Sequence, residues 1–297
     1  MVSVRVDAHH HLWDLAVRDQ DWIGDGMERI RRDFGPVDLA AAVAGTGIER
    51  TVLVQTVAVA AETAELLATA ATSDLVSGVV GWVDLTAPDV GDRLAELTAP
   101  PDGDRLVGIR HLVQGERDPR WLCRPDVRRG LAAVEAADLA YDLLVLPHQL
   151  PAAVETVRGL PGLQFVLDHL AKPPIAAGAL QPWADLVGNL AAAPNVSAKL
   201  SGLVTEASWT EWTVADLRPF AAAAFTAFGA ERLMFGSDWP VCLLATPAYR
   251  DVLAAAEALT GELSATERNA VFGGTAQRVY RLRPPARGPA LGAELPA

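Results

Sequence analysis

Short runs of β-branched and apolar residues recur along the chain at positions 3–6, 51–56, 77–83, 106–112, 141–146, 164–168, 196–200 and 233–235. Each has the length and composition of a buried strand. The stretches between them, such as 38–44, 62–71, 125–136, 182–192 and 215–228, are rich in Ala and Leu and read as helices. Pro125 and Pro182 suit first helical turns, and Asp38 and Ser264 suit N-caps. Alternating strands and helices predict an α/β fold with a parallel sheet, and eight such units predict a single-domain TIM-type (β/α)8 barrel over residues 1–282. Residues 283–297, rich in Pro, Ala and Gly, read as a disordered tail.

Composition narrows the picture. A chain of 297 residues with 51% hydrophobic and 21% charged residues buries a large core, and its length suits two small domains or one barrel. Lys+Arg 25 against Asp+Glu 37 leaves a net charge of −12, which argues against nucleic acid and anionic membranes as partners. Two cysteines, Cys123 and Cys242, make no disulfide framework; the segment 1–7 has no charged region followed by a long apolar run and no membrane-length apolar run occurs, so neither a signal peptide nor a membrane span is expected. A cytoplasmic enzyme of small molecules is the expectation. Ala-rich helix exteriors leave a homodimer open.

In such a barrel the chemistry belongs at the C-terminal ends of the strands. Those ends carry Asp7-Ala8-His9-His10-His11, Gln55, Arg110-His111, His148, Asp168-His169, Lys199 with Ser201, and Asp238. Side chains two apart share a strand face, so His9 and His11 point together into the mouth while His10 points away. That pair suits Zn²⁺, although an H-x-H step also occurs as a hydrogen-bonded pair in a turn. Asp238, before Trp239-Pro240, suits a ligand or base, or equally the cap of a turn. By the same parity one of Asp168 and His169 faces inward, and His169 is the expected one, with Lys172 close behind to hold an oxyanion. Arg110, His111, Lys172, Lys199, His148, Gln55 and Trp239 are the substrate-binding candidates, with Arg110 and His111 not separable by parity alone. No G-x-S-x-G, P-loop or G-x-G-x-x-G motif occurs, which argues against a serine hydrolase, a P-loop protein and a dinucleotide binder.

Taken together, Asp7-Ala8-His9-His10-His11-Leu12-Trp13-Asp14, Gly108-Ile109-Arg110-His111, His169-Leu170-Ala171-Lys172-Pro173, Ala198-Lys199-Leu200-Ser201-Gly202-Leu203 and Met234-Phe235-Gly236-Ser237-Asp238-Trp239-Pro240 resemble the lactonase branch of the amidohydrolase superfamily. The likeness runs from about residue 3 to near Arg281. It implies a TIM-type barrel that hydrolyses a sugar lactone, as the fuconolactonase- and rhamnonolactonase-like enzymes do. It also implies roles: His9 and His11 as the strand-one pair, His169 as the later-strand histidine, and Asp238 as the strand-eight carboxylate that ligates metal or acts as base. The superfamily's carbamylated strand-four lysine has no counterpart, since Arg110-His111 stands there, so one divalent ion, Zn²⁺, is expected rather than two.

Two mechanisms follow from that expectation. With a metal, bound water loses its proton to Asp238 and attacks the lactone carbonyl; without one, His9, His11 and His169 polarise the carbonyl and Asp238 activates free water. Two rival readings stand beside the lactonase. One is a metal-dependent decarboxylase of an aromatic or dienoic acid on the same scaffold, and the other a non-catalytic barrel that binds a sugar acid.

Overall fold

The computed structural model describes residues 4–282. Ser3 of the first apolar run and the tail at 283–297 lie outside the described residues. Eight strands form one parallel sheet in sequence order: β1 (Arg5–His10), β2 (Ile48–Val54), β3 (Val76–Gly81), β4 (Leu106–His111), β5 (Ala140–Leu143), β6 (Phe165–Leu167), β7 (Val196–Leu200) and β8 (Leu233–Phe235). The sheet closes on itself beyond β8, where Asp238 N donates to His9 O over 2.8 Å and His11 N to Trp239 O over 2.7 Å. The outcome is the TIM-type (β/α)8 barrel.

Helices pack outside and between the strands: α1 (Pro36–Val43), α2 (Ala60–Ala71), α3 (Val90–Leu97), α4 (Pro125–Ala136), α5 (Leu150–Gly159), α6 (Trp183–Ala191), α7 (Leu203–Glu206), α8 (Val214–Phe228), α9 (Tyr249–Leu259), α10 (Ala265–Asn269) and α11 (Thr275–Val279). Ser264 caps α10 as expected, accepting from Glu267 N. Asp38 does not cap α1. Pro36, its φ fixed for a first turn, starts the helix two residues earlier, and the Asp38 carboxylate reaches back to Gly35 N at 3.0 Å. Among the described residues no helix is long and apolar enough to cross a membrane.

Strand alternation sorts the core into two populations. Leu53, Val79, Leu143 and Leu167 pack outward against the helices, while Val6, Ala8, Val52, Val54, Val80, Val166 and Met234 fill the barrel floor with Tyr280, which follows α11. Strict alternation after Val6 and Ala8 would turn His9 and His11 outward. The register prevents this: Asp7 pairs with Thr51, but His10 pairs with Leu53, so β1 carries one extra residue against β2. This bulge lets Ala8 and His9 both face in and sends His10 out to Thr51 Oγ1 at 2.9 Å.

Candidate active site

Above the apolar floor the barrel mouth gathers polar groups from several strand ends. His9 Nε2 and His11 Nε2 lie 3.1 Å apart, and Asp238 Oδ1 lies 3.7 and 3.5 Å from them. His169 Nε2 lies 4.0 Å from the same oxygen, with its ring packed against that of His9, centres 4.5 Å apart. All four residues are buried. Their placement is held from behind by Asp7, whose carboxylate accepts from His9 N (3.1 Å), Ser237 N (2.8 Å), Ser237 Oγ (2.6 Å) and Tyr249 OH (2.9 Å). One side chain thus ties β1, the segment after β8 and α9 together. Gly236 is required for this approach, because a Cβ there would stand 2.7 Å from His9 Cβ.

Parity allows only one of Asp168 and His169 to face inward, yet both do. β6 ends at Leu167, and His169, Leu170, Ala171 and Lys172 all take left-handed φ values of 49–58°. Four non-glycine residues in that region in succession are unfavourable, and such strain persists where the surroundings impose it, commonly at functional sites. Here Trp183 Nε1 donates to Leu170 O at 2.7 Å and Ser201 Oγ meets His169 Nδ1 at 2.9 Å, fixing the turn.

Beneath the mouth lies a buried ionic layer. Arg110 Nη1 donates to Asp168 Oδ2 (3.0 Å), and its Nη2 contacts the main-chain oxygen of Gln55 and Gln55 Oε1 (3.1 Å). Lys199 Nζ contacts Asp142 Oδ2 (2.5 Å), Asp168 Oδ1 (2.9 Å) and His9 Nδ1 (3.0 Å). Tyr280 OH donates to Asp142 from below. Two cations opposite two carboxylates offset the large cost of burying any one of them alone.

Charge states follow from this packing. Burial holds the His169 imidazole down to about 4, against the pull of Asp238 and Asp168, and holds His9 well below its ordinary value with the help of the Lys199 charge. Burial by itself raises the Asp238 carboxyl, but His169, the hydrogen bond from His11 and the Lys172 charge outweigh it, so Asp238 sits below the usual carboxylate range. Near neutral pH the mouth therefore holds neutral His9 and His169 rings beside an ionised carboxylate.

The remaining predicted residues fall in different places. Arg110 turns inward and Gln55 orients it, so the question left open by parity resolves in favour of Arg110. His111 faces the strand-end loops, stacked on Trp121 with ring centres 4.2 Å apart, accepting from Trp82 Nε1 (3.0 Å) and meeting Glu116 Oε1 (2.8 Å). Lys172 is partly exposed at the rim in an ion pair with Glu206 (3.4 Å). Lys199, offered by the sequence as a substrate contact, is fully buried with its ammonium surrounded by Asp142, Asp168 and His9. Trp239 is buried edge-on to Phe34, and His148 is exposed on a turn that begins after β5 has already ended. Asp142 and Glu206 were not singled out from the sequence. A lone acid inside the apolar run 141–146 was the available signal for Asp142; nothing marked Glu206.

The residues present fit a divalent cation. Ligand atoms of His9, His11 and Asp238 lie within 4.8 Å of one another, as do those of His9, Asp168 and His169. Three imidazoles and a carboxylate are a donor set that zinc takes. His11 Nδ1 donates to Val54 O over 2.8 Å, which fixes the ring with Nε2 aimed at the site, the outer-shell arrangement of a ligating histidine.

The sequence pattern described as amidohydrolase matches residues 6–282. The chain is 41% identical to an L-fucono-1,5-lactonase of Burkholderia ambifaria over 96% of this chain and 98% of that protein. A solved amidohydrolase from Burkholderia multivorans with bound zinc is 41% identical, covers 95% of this chain and all of its own, and superposes with a TM-score of 0.89. A solved 2,6-dihydroxybenzoate decarboxylase, at 16% identity, 94% of this chain, 98% of its own and a TM-score of 0.63, shares the fold alone.

Proposed function

The chain belongs to the amidohydrolase family, and on that premise we propose that it hydrolyses a sugar lactone, with L-fucono-1,5-lactone the first substrate to test. The observation that carries the reading is a buried Asp238 facing His9, His11 and His169 across 3.5–4.0 Å at the mouth of the barrel. A carboxylate there is placed to take a proton from water as the water oxygen bonds to the lactone carbonyl carbon. When the tetrahedral adduct collapses, the ring C–O bond breaks and Asp238 returns that proton to the leaving ring oxygen. One water is consumed, and the product is the open hydroxy acid.

His9, His11, His169 and Asp238 are the residues that would hold one zinc ion, which when bound polarises a carbonyl and eases deprotonation of water. Without it, the neutral imidazoles supply the hydrogen-bonding face for the carbonyl oxygen. Lys172 and Glu206 at the rim present a donor and an acceptor to the sugar hydroxyls, whereas Arg110, already engaged by Asp168 and Gln55, braces the site.

The test is proton release in a pH-stat with L-fucono-1,5-lactone and a panel of other aldonolactones and acidic lactones, before and after chelation. Turnover lost on chelation and restored by zinc supports the metal form; turnover indifferent to chelation supports the imidazole form. No hydrolysis of any lactone overturns the reading.

A further inference from the structure

We propose that Tyr280 is a positioning residue: from the end of α11, outside the strands, it holds Asp142, and through it Lys199, in place beneath the candidate active site. The kinetic consequence of this inference rests on the lactonase reading; the placement of Lys199 does not.

Tyr280 shares the barrel floor with Val52, Val80 and Val166, yet its hydroxyl ends in the ionic layer above them. It donates to both oxygens of Asp142, over 2.9 Å to Oδ1 and 2.8 Å to Oδ2. Lys199 Nζ lies 2.5 Å from Asp142 Oδ2 and 5.5 Å from the centre of the Tyr280 ring, within reach of its π face. Among the described residues, Tyr280 and Lys199 are the hydrogen-bond donors to the Asp142 side chain. All three side chains are buried, so a hydroxyl removed here leaves Oδ1 without a donor.

Tyr280 can serve as a fixed point because the helix that carries it is itself tied down. Thr275 Oγ1 donates to Glu231 O (3.1 Å), just before β8, and Gln277 Nε2 donates to Val4 O (3.3 Å), just before β1. Tyr280 N then closes on Ala276 O at 3.0 Å.

The other partners are less constrained. The backbone of Asp142 is held in β5, but its carboxylate turns about the side-chain torsions, and Tyr280 sets them from below. Lys199 carries its charge on a flexible four-carbon stem, so the ammonium goes where its acceptors stand. It lies 2.9 Å from Asp168 Oδ1 and 3.0 Å from His9 Nδ1. Without the Tyr280 hydroxyl the carboxylate and the ammonium shift together, and the packing under His9 and Asp168 shifts with them. Lys172 and Glu206 hold each other in a separate ion pair at the rim. Loss of the hydroxyl therefore lowers kcat and spares KM.

The chain has two lysines, Lys172 at the rim and the buried Lys199, so labelling with ¹⁵N-lysine gives two side-chain ammonium signals, told apart by the one lost in Lys172→Met. In the unaltered protein the Lys199 signal should be protected from exchange with water; exchange as fast as that of Lys172 overturns the proposal with no variant needed. Tyr280→Phe keeps the ring and removes the hydroxyl. In it the Lys199 signal should shift and lose protection, and kcat for the lactone should fall about tenfold or more with KM within about twofold, the kind of loss that a small displacement away from the chemistry produces. Val80→Ala, a floor variant on β3 with no part in these hydrogen bonds, should lose stability while the Lys199 signal and kcat stay as they were. An unmoved Lys199 signal or an unchanged kcat in folded Tyr280→Phe overturns the proposal, and so does the same response in Val80→Ala, which would mark the effect as loosened packing. If Tyr280→Phe does not fold, the protection of Lys199 in the unaltered chain decides. If the unaltered protein hydrolyses no lactone, the lactonase reading fails on its own and the Lys199 signal decides the placement.

Discussion

Asp238 N donates to His9 O over 2.8 Å, so the base proposed for hydrolysis and the first histidine of the mouth are joined by one of the hydrogen bonds that close the barrel. Site and closure are therefore not separable: whatever shifts the end of β8 against β1 shifts both residues. Asp238 itself adopts a left-handed φ of 55°, which turns its side chain back toward the histidines after the strand has ended.

Asp238→Asn keeps shape and hydrogen-bonding capacity but cannot take a proton. Its kcat for lactone hydrolysis should fall by about a hundredfold or more, the scale of a lost general base, with an unchanged circular dichroism spectrum. Near-normal turnover by purified Asp238→Asn would remove Asp238 from the mechanism.

The Lys172 charge is one of the influences holding Asp238 low. In Lys172→Met the Asp238 carboxyl should rise. Since a base works only when ionised, the acid limb of the pH profile of kcat/KM should then move to higher pH. A limb that stays in place, or moves down, shows that Lys172 does not act on the base.

Asp7→Ala deletes an acceptor shared by His9 N, Ser237 and Tyr249 OH, all buried. Leaving buried donors unpaired costs about 1–3 kcal/mol each, so the variant should lose about 3 kcal/mol or more. Chemical denaturation would show this as a lower midpoint at constant slope. A shift below about 1 kcal/mol would mean that other acceptors replace the carboxylate.

Gly236→Ala adds a methyl 2.7 Å from His9 Cβ and 3.1 Å from Ser201 Cβ. Overpacking of this kind costs about 1–3 kcal/mol, and relief by moving His9 should lower activity as well. Retained activity with retained stability would mean that β1 and β8 can separate locally without disturbing the mouth.

Much of this was legible in the chain. Eight apolar runs with helices between them specify the barrel, because the periods of strand and helix are local properties of backbone geometry and burial. The positions of His9, His11, His169 and Asp238 follow from where those runs end. Boundaries were less legible: the run at 141–146 leaves the sheet at Leu143, so His148 stands on an exposed turn rather than at a strand end.

Orientation and pairing were decided only by the tertiary structure. The pattern Val6, Ala8, His9, His11 contradicts strict alternation, and only the extra residue of β1 against β2 reconciles it, a matter of register between strand residues 43 to 44 positions apart in sequence. The left-handed turn that brings Asp168 and His169 inward together depends on Trp183 and Ser201. Lys199 reads as a substrate contact until Asp142, Asp168 and His9 are seen around it, because an ammonium is surface or core according to which carboxylates the fold brings to it. Sequence sets what each side chain can donate or accept; the closed barrel sets which partner it meets.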